Sequence, residues 1–89
     1  MNEIVMNRLK RQIIKDLTVA FVDLPHGHSM SLHICDDLIS LADWDKYEPG
    51  EDNSYKIWIM KGGEFDPIQF ANDAEIMLSM IHAKMEVAE

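Results

Sequence analysis

Three of the four histidines and the single cysteine of this 89-residue chain lie within ten residues of one another. They follow the spacing H-x-H-x4-H-x-C, at His26, His28, His33 and Cys35. Imidazole and thiolate groups are zinc ligands, and four of them complete a tetrahedral site. The alternative is two exposed turn histidines with a half-buried Cys35 that packs as a small hydrophobic residue. Because structural zinc sites more often join two separate knuckles, we expect no cofactor. A small metal-binding protein that uses this cluster is an alternative function.

Cysteine and carboxylate chemistry give two further hypotheses. Cys35 with His33 or His82 would supply a nucleophile and a base, but the sequence shows no oxyanion-hole motif beside them. Asp43-x-Asp45 begins like a calcium loop, yet no glycine or closing glutamate follows at the required offset. We therefore expect a protein that is not an enzyme.

Negative charge is concentrated in one segment of a chain whose net charge is −8. Between Asp36 and Asp52 there are seven carboxylates and one basic residue, Lys46. Such a field attracts basic partners and repels nucleic acid and anionic membranes. Aromatic residues inside a charged rim are typical of interface anchors. The predicted partner-binding residues are Asp36, Asp37, Asp43, Trp44, Asp45, Tyr47, Glu48, Glu51 and Asp52.

Two alternatives would remove the need for an external partner. A charged segment is often a solvated face that only keeps a protein soluble. The first helix is basic, with Arg8, Arg11 and Lys15 on one side, and it could neutralise the acidic segment within the fold or across a dimer.

Composition is typical of one soluble globular domain spanning residues 1–89, with 47% hydrophobic and 27% charged residues. No apolar run has the length needed to cross a bilayer. A signal peptide is not expected either, because Glu3, Arg8, Lys10 and Arg11 interrupt any apolar stretch at the N-terminus. The single Cys35 excludes an internal disulfide and is typical of a reducing compartment. We expect a cytoplasmic protein.

The apolar pattern predicts an α+β fold with an N-terminal helix, an antiparallel meander of three or four strands, and a long C-terminal helix. Helical spacing covers residues 2–17. The β-branched and aromatic run at 18–24 predicts a strand, and 30–35 predicts its hairpin partner. Residues 37–47 have mixed spacing, and we favour a strand there.

Two more elements complete the predicted fold. Residues 55–60 are apolar on both faces, which predicts a central strand covered on both sides. Asp66, Pro67 and Gln69 then match an N-cap, a first helical position and a capping box. The last helix should extend from Pro67 nearly to the end of the sequence.

The last helix carries two apolar stripes, where packing on a single core requires one. The broader stripe comprises Phe70, Ala74, Met77, Leu78, Ile81 and Met85. The second stripe comprises Ile76, Met80, Ala83 and Val87. A loop or the first helix could cover the second stripe, or it could form a homodimer interface, which gives the alternative function of a structural or regulatory homodimer.

In size, acidity and mixed helix–sheet pattern, the chain resembles the small acidic α+β proteins that bacteriophages use against host defences. These include anti-CRISPR proteins and anti-restriction proteins that act as DNA mimics. The resemblance implies an inhibitor that occupies a basic, nucleic-acid-binding surface of a protein target, and a location in the host cytoplasm if a phage encodes the chain. It includes no diagnostic motif, so it assigns no residue a role.

Overall fold

The computed structural model shows two helices and a three-stranded antiparallel sheet. It describes residues 3–46, 48–50, 54–60 and 64–87, without the side chains of residues 86 and 87. The elements are α1 (Glu3–Val22), β1 (Met30–Ile34), β2 (Leu38–Asp43), a 3-10 turn (Trp44–Lys46), β3 (Ser54–Trp58) and α2 (Pro67–Val87). The predicted α+β class and its order of helix, meander and helix are confirmed.

The predicted strand at 18–24 is wrong, because α1 continues to Val22. Leu17 and Ala20 are buried three residues apart, so this part of the helix keeps its apolar stripe on the core. Thr18 is accommodated because its hydroxyl donates to the carbonyl oxygen of Ile14, at 2.7 Å. Burial of the stripe outweighs the strand preference of β-branched residues, which is a weak and context-dependent effect.

The sheet has the order β1-β2-β3, so β2 is the central strand. β1 therefore pairs with β2 and not with residues 18–24, and the favoured strand at 37–47 is confirmed over Leu38–Asp43. The prediction that the strand bearing Trp58 is central is wrong, since β3 lies at an edge. Trp58 and Met60 are half-exposed because no second layer covers their side of the sheet in the described part of the chain.

Both helices lie on the same side of the sheet, with α2 against β3 and α1 against α2. The smallest extent of the molecule, 18 Å, corresponds to two layers. The core between them comprises Leu17, Ala20, Leu24, Met30, Ile39, Leu41, Ile57, Ile59, Phe70, Ala74, Met77 and Ile81. Within the described ranges, neither helix combines the length and the apolar character that a membrane span requires.

The N-terminus of α2 is capped as the sequence predicts. The backbone N–H groups of Ile68 and Gln69 donate to Asp66 Oδ1, at 3.0 and 3.1 Å. In a full capping box the Gln69 side chain would also accept from the backbone N–H of Asp66. Here that side chain instead donates to Asp73 Oδ1, at 2.8 Å. Asp66 therefore satisfies two of the helix's unpaired amides by itself.

We expect Asp66→Ala to lower the free energy of unfolding by about 1 kcal/mol, the usual cost of a lost N-cap. Urea denaturation monitored by circular dichroism measures it. Gln69→Ala is the matched control, since its exposed side chain takes no part in the cap. Equal losses in the two variants would contradict the cap assignment.

Candidate binding face

One face of the sheet points away from the helices and carries no further layer among the described residues, and we call it the outer face. Along β2, Ile39, Leu41 and Asp43 point inward and are buried, so the residues between them point outward. The register extends this alternation to both neighbouring strands. The outer face comprises Ser31, His33, Leu38, Ser40, Ala42, Trp44, Ser54, Lys56 and Trp58.

Two tryptophans stand at opposite ends of the outer face. Trp44 is 56% exposed, and its indole N–H donates to the hydroxyl of Ser31 at 3.0 Å. Trp58 is 51% exposed and lies opposite Leu38 on the neighbouring strand. Trp58 is thus level with the first residue of β2, whereas Trp44 directly follows the last. Small and polar side chains occupy most of the surface between them.

The described residues of the acidic segment do not form one surface. Asp36 and Asp37 are exposed in the β1–β2 turn, at the end of the sheet that carries Trp58. Asp45 and Glu48 are exposed beyond the other end of β2, on the side of Trp44. Asp43 is buried, so it offers little surface to a partner. Of the remaining predicted binding residues, Tyr47, Glu51 and Asp52 lie outside the described residues.

Lys84 of α2 forms ion pairs with two of the predicted binding carboxylates. Its ammonium lies 3.1 Å from Asp43 Oδ1 and 2.5 Å from Asp45 Oδ2. The hydrogen bond from Lys84, followed by its charge, lowers the pKa of Asp45. The hydrogen bonds to Asp45 and Asp43 raise the pKa of Lys84. This contact ties the last turns of α2 to the end of β2, and nothing in the sequence pattern pointed to it.

The basic side of α1 does not neutralise the acidic segment within the described residues. Arg8, Arg11 and Lys15 are exposed there, and no ion pair of the described structure joins them to it. Arg11 Nε donates instead to the carbonyl oxygen of Asn7, at 3.3 Å. Lys10 lies 4.6 Å from the centre of the Phe65 ring, a cation–π contact.

A groove beside Trp58 brings together carboxylates from outside the acidic segment. It has a volume of about 550 Å³ and is lined by residues of β3 and of the first turns of α2. Three carboxylates line it, from Glu64, Asp66 and Asp73. Burial raises the pKa of the Tyr55 hydroxyl, and the neighbouring Asp73 carboxylate raises it further. The Trp58 end of the outer face is therefore acidic on two sides.

The candidate metal ligands do not converge on one point in the described structure. Among the described residues, no three His, Cys, Asp or Glu side chains come close enough to hold one ion. His28 Nδ1 accepts the backbone N–H of Met30 at 2.9 Å, and its ring contacts Phe21 edge-on. His26 and His33 are exposed, and Cys35 is exposed where the sequence analysis expected it half-buried.

The two stripes of α2 differ in their surroundings. Of the broader stripe, Phe70, Ala74, Met77 and Ile81 are buried and Leu78 and Met85 pack against that core. Of the second stripe, Ile76 is 49% exposed, Ala83 is exposed, and Met80 packs partly on the core. The side chain of Val87 lies outside the description. A homodimer through this second stripe stays a prediction.

Comparison with protein-family models, with curated proteins and with solved structures finds no match to this chain.

Proposed function

We propose that this chain is a non-catalytic binding protein whose outer face docks onto a basic surface of a partner protein. The observation that carries the proposal is the pair of half-exposed tryptophans, Trp44 and Trp58, on one uncovered face of the sheet. Tryptophan is on average a well-buried residue, and at interfaces it supplies a large share of the binding energy. Two such anchors on one face support a docking surface.

The charges around the anchors favour a basic partner. Asp36 and Asp37 flank the Trp58 end, and Glu48 lies beyond the Trp44 end without a partner among the described residues. The net charge of −8 steers such a partner towards the chain and disfavours nucleic acid and anionic membranes. Carboxylates at a rim set the association rate and the specificity, while the tryptophans supply affinity.

The target class we favour is a protein that itself binds nucleic acid. Such a protein exposes a groove lined with Lys and Arg, which an acidic and aromatic face is suited to occupy. Occupation would exclude the nucleic acid, so the outcome is inhibition. This is the action implied by the resemblance to phage anti-CRISPR and anti-restriction proteins, and the location proposed with it is the host cytoplasm.

Variants of the outer face test the proposal. Tagged protein captures its partner from a lysate of the native host, and calorimetry then measures the dissociation constant with the purified partner. We expect Trp58→Ser to weaken binding at least about tenfold, which corresponds to roughly 1.4 kcal/mol. Ile68→Ser is the matched control, because Ile68 is 74% exposed on α2, away from the outer face.

The contribution of the rim carboxylates to binding is measured separately in the same assay. Asp36→Asn combined with Asp37→Asn should slow association and reduce the dependence of affinity on salt. Competition against the partner's nucleic acid then decides between inhibition and simple binding. Unchanged affinity in the Trp58 variant together with an unchanged salt dependence in the Asp36/Asp37 variant would show that the partner binds elsewhere.

A further inference from the structure

A histidine side chain closes the turn that connects α1 to β1. His28 Nδ1 accepts the backbone N–H of Met30 at 2.9 Å, and the imidazole lies edge-on to Phe21 of α1, with 5.1 Å between the ring centres. The imidazole therefore contacts both of the elements that the turn joins. A ring nitrogen that accepts a hydrogen bond carries no proton, so His28 is neutral here, with its proton on Nε2.

The backbone of this turn has a conformation that one of its residues disfavours. Ser29 has a φ of 61°, in the left-handed region that residues with a side chain seldom adopt. Such a residue stays there only while the contacts around it hold it. The hydrogen bond from Met30 to His28 spans Ser29, and the carbonyl oxygen of Ser29 accepts Trp44 N–H at 2.9 Å. One of the contacts that hold the turn therefore requires a neutral imidazole.

The same turn orients Trp44 at one end of the outer face. Besides the backbone hydrogen bond to Ser29, the Trp44 indole N–H donates to the hydroxyl of Ser31 at 3.0 Å. Both acceptors lie within three residues of His28 in the sequence. A change in the backbone of the turn therefore moves two of the groups that orient Trp44. Trp58 lies at the other end of the outer face, and it supplies an internal reference.

Charged side chains lie around the turn, but none of them forms an ion pair with His28 in the described structure. The titratable groups of the surrounding elements are Asp23 of α1, His26 of the turn, Asp43 of β2, Asp45 of the 3-10 turn and Lys84 of α2. Lys84 pairs with both Asp43 and Asp45, and so offsets their charge. Carboxylates and ammonium groups ordinarily titrate outside the range from about pH 5.5 to 7.5, so a change at this turn within that range comes from a histidine.

We infer that His28 is a pH-sensitive switch that sets the position of Trp44. Protonation puts a hydrogen on Nδ1, which then faces the N–H of Met30 donor to donor, so the hydrogen bond breaks. Ser29 then relaxes from the left-handed region, and the acceptors of Trp44 move with it. The closed turn excludes a proton that an unfolded chain's imidazole binds below about pH 6.5, so the switch stabilises the fold above that pH and its contribution is lost as the pH falls.

Nitrogen–proton NMR of the wild-type protein tests the switch directly. At about pH 7.5, long-range correlations should show a bare Nδ1 and a protonated Nε2 in His28. As the pH falls to about 5.5, the indole N–H signal of Trp44 should shift or broaden, while that of Trp58 stays nearly constant. Trp44→Phe assigns the two indole signals.

His28→Asn separates the hydrogen-bond acceptor from the titration. An asparagine side-chain oxygen accepts the N–H two residues further on, as Nδ1 does here, but it binds no proton in this pH range. We expect the Trp44 signal of this variant to stay constant with pH. The midpoint of thermal unfolding should fall between the two pH values by about 4–8 °C more in wild type than in the variant, the usual effect of losing one hydrogen bond in a domain of this length.

His33→Asn is the matched control, because His33 is exposed on the outer face and should leave the wild-type response in place. A proton on Nδ1 of His28 at about pH 7.5 would overturn the inference, and this measurement needs no variant. So would a Trp44 signal that responds no more than that of Trp58, or a response that persists in His28→Asn or disappears in His33→Asn. None of these outcomes depends on the proposed function.

Discussion

Leu17→Ala should lower the free energy of unfolding by about 3 kcal/mol, within the range for removing a buried leucine side chain. Leu17 is fully buried between α1 and the rest of the core. Domains of this length have stabilities of roughly 4–13 kcal/mol, so the variant should fold but lose a large part of its stability. Urea denaturation at 25 °C gives the difference. A loss below about 1 kcal/mol would mean that the α1 stripe is not seated on the core.

The matched control lies two residues further on and tests the helix itself. Val19 is 49% exposed in α1. In a helix, Val→Ala raises intrinsic propensity, so stability should stay constant or rise by about 0.5 kcal/mol. In a strand, the same change would lower stability, because β-branched residues favour strands. The sign of this effect separates the observed helix from the strand that residues 18–24 predict by composition.

The error at residues 18–24 has a physical origin. Strand propensity and helical periodicity disagree there, and composition alone favours the strand. The apolar stripe of α1, however, continues through Leu17 and Ala20, and the helix ends at Val22, three residues before Pro25. Periodicity reports burial, which depends on the whole fold, so it outweighs local preference here.

The error at β3 has a different cause. Alternation correctly separates Ile57, which is buried, from Trp58, which points to the other face. What the alternation cannot give is the number of layers around the sheet. Apolar residues on both faces predict a strand covered on both sides, whereas here the second face holds exposed side chains. That same discrepancy is what marks Trp58 as a candidate anchor.

The candidate site was only partly predictable. The sequence identified Trp44 and the acidic segment as interface candidates by residue type alone. It could not show that Asp36 and Asp43 lie at opposite ends of β2, because this follows from the strand boundaries. Nor could it show that Lys84 pairs with Asp43, since the two are 41 residues apart in the sequence. Contacts over such separations depend on the docking of a helix on a sheet, which no local pattern records.

Lys84→Met should cost about 2 kcal/mol, the second-largest effect expected for a single change here. Methionine is an unbranched apolar side chain that replaces the stem of Lys84 closely and lacks the ammonium. Asp43, 8% exposed, would then lose the cation 3.1 Å from its carboxylate. Exposed ion pairs contribute at most about 1 kcal/mol, whereas stranding a buried charge costs about 3–5 kcal/mol. The Lys84 side chain remains 16% exposed, so the value lies between these limits.

Two exposed positions provide controls for this substitution. Lys15→Met removes a solvent-exposed ammonium from α1 and should leave stability almost unchanged. Asp45→Asn removes the charge of the more exposed partner of Lys84, since the Asp45 side chain is 61% exposed. The loss of stability should therefore be much smaller than for Lys84→Met. Equal effects of Lys84→Met and Asp45→Asn would contradict a dominant role for the buried Asp43 contact.

The pH dependence of the Lys84→Met effect follows from the directions of the two pKa shifts. The pKa of Asp45 is lowered from 3.8 by its hydrogen bond with Lys84, so the stability it contributes is lost as pH falls through that lowered value. The pKa of Lys84 is raised above 10.5, so its contribution is complete below 10.5 and is lost at still higher pH. The free-energy difference between wild type and variant should therefore be constant between about pH 5 and 9. A change in that difference near neutral pH would mean that a histidine, and not Lys84 acting on carboxylates, controls this contact, because only an imidazole ordinarily titrates there.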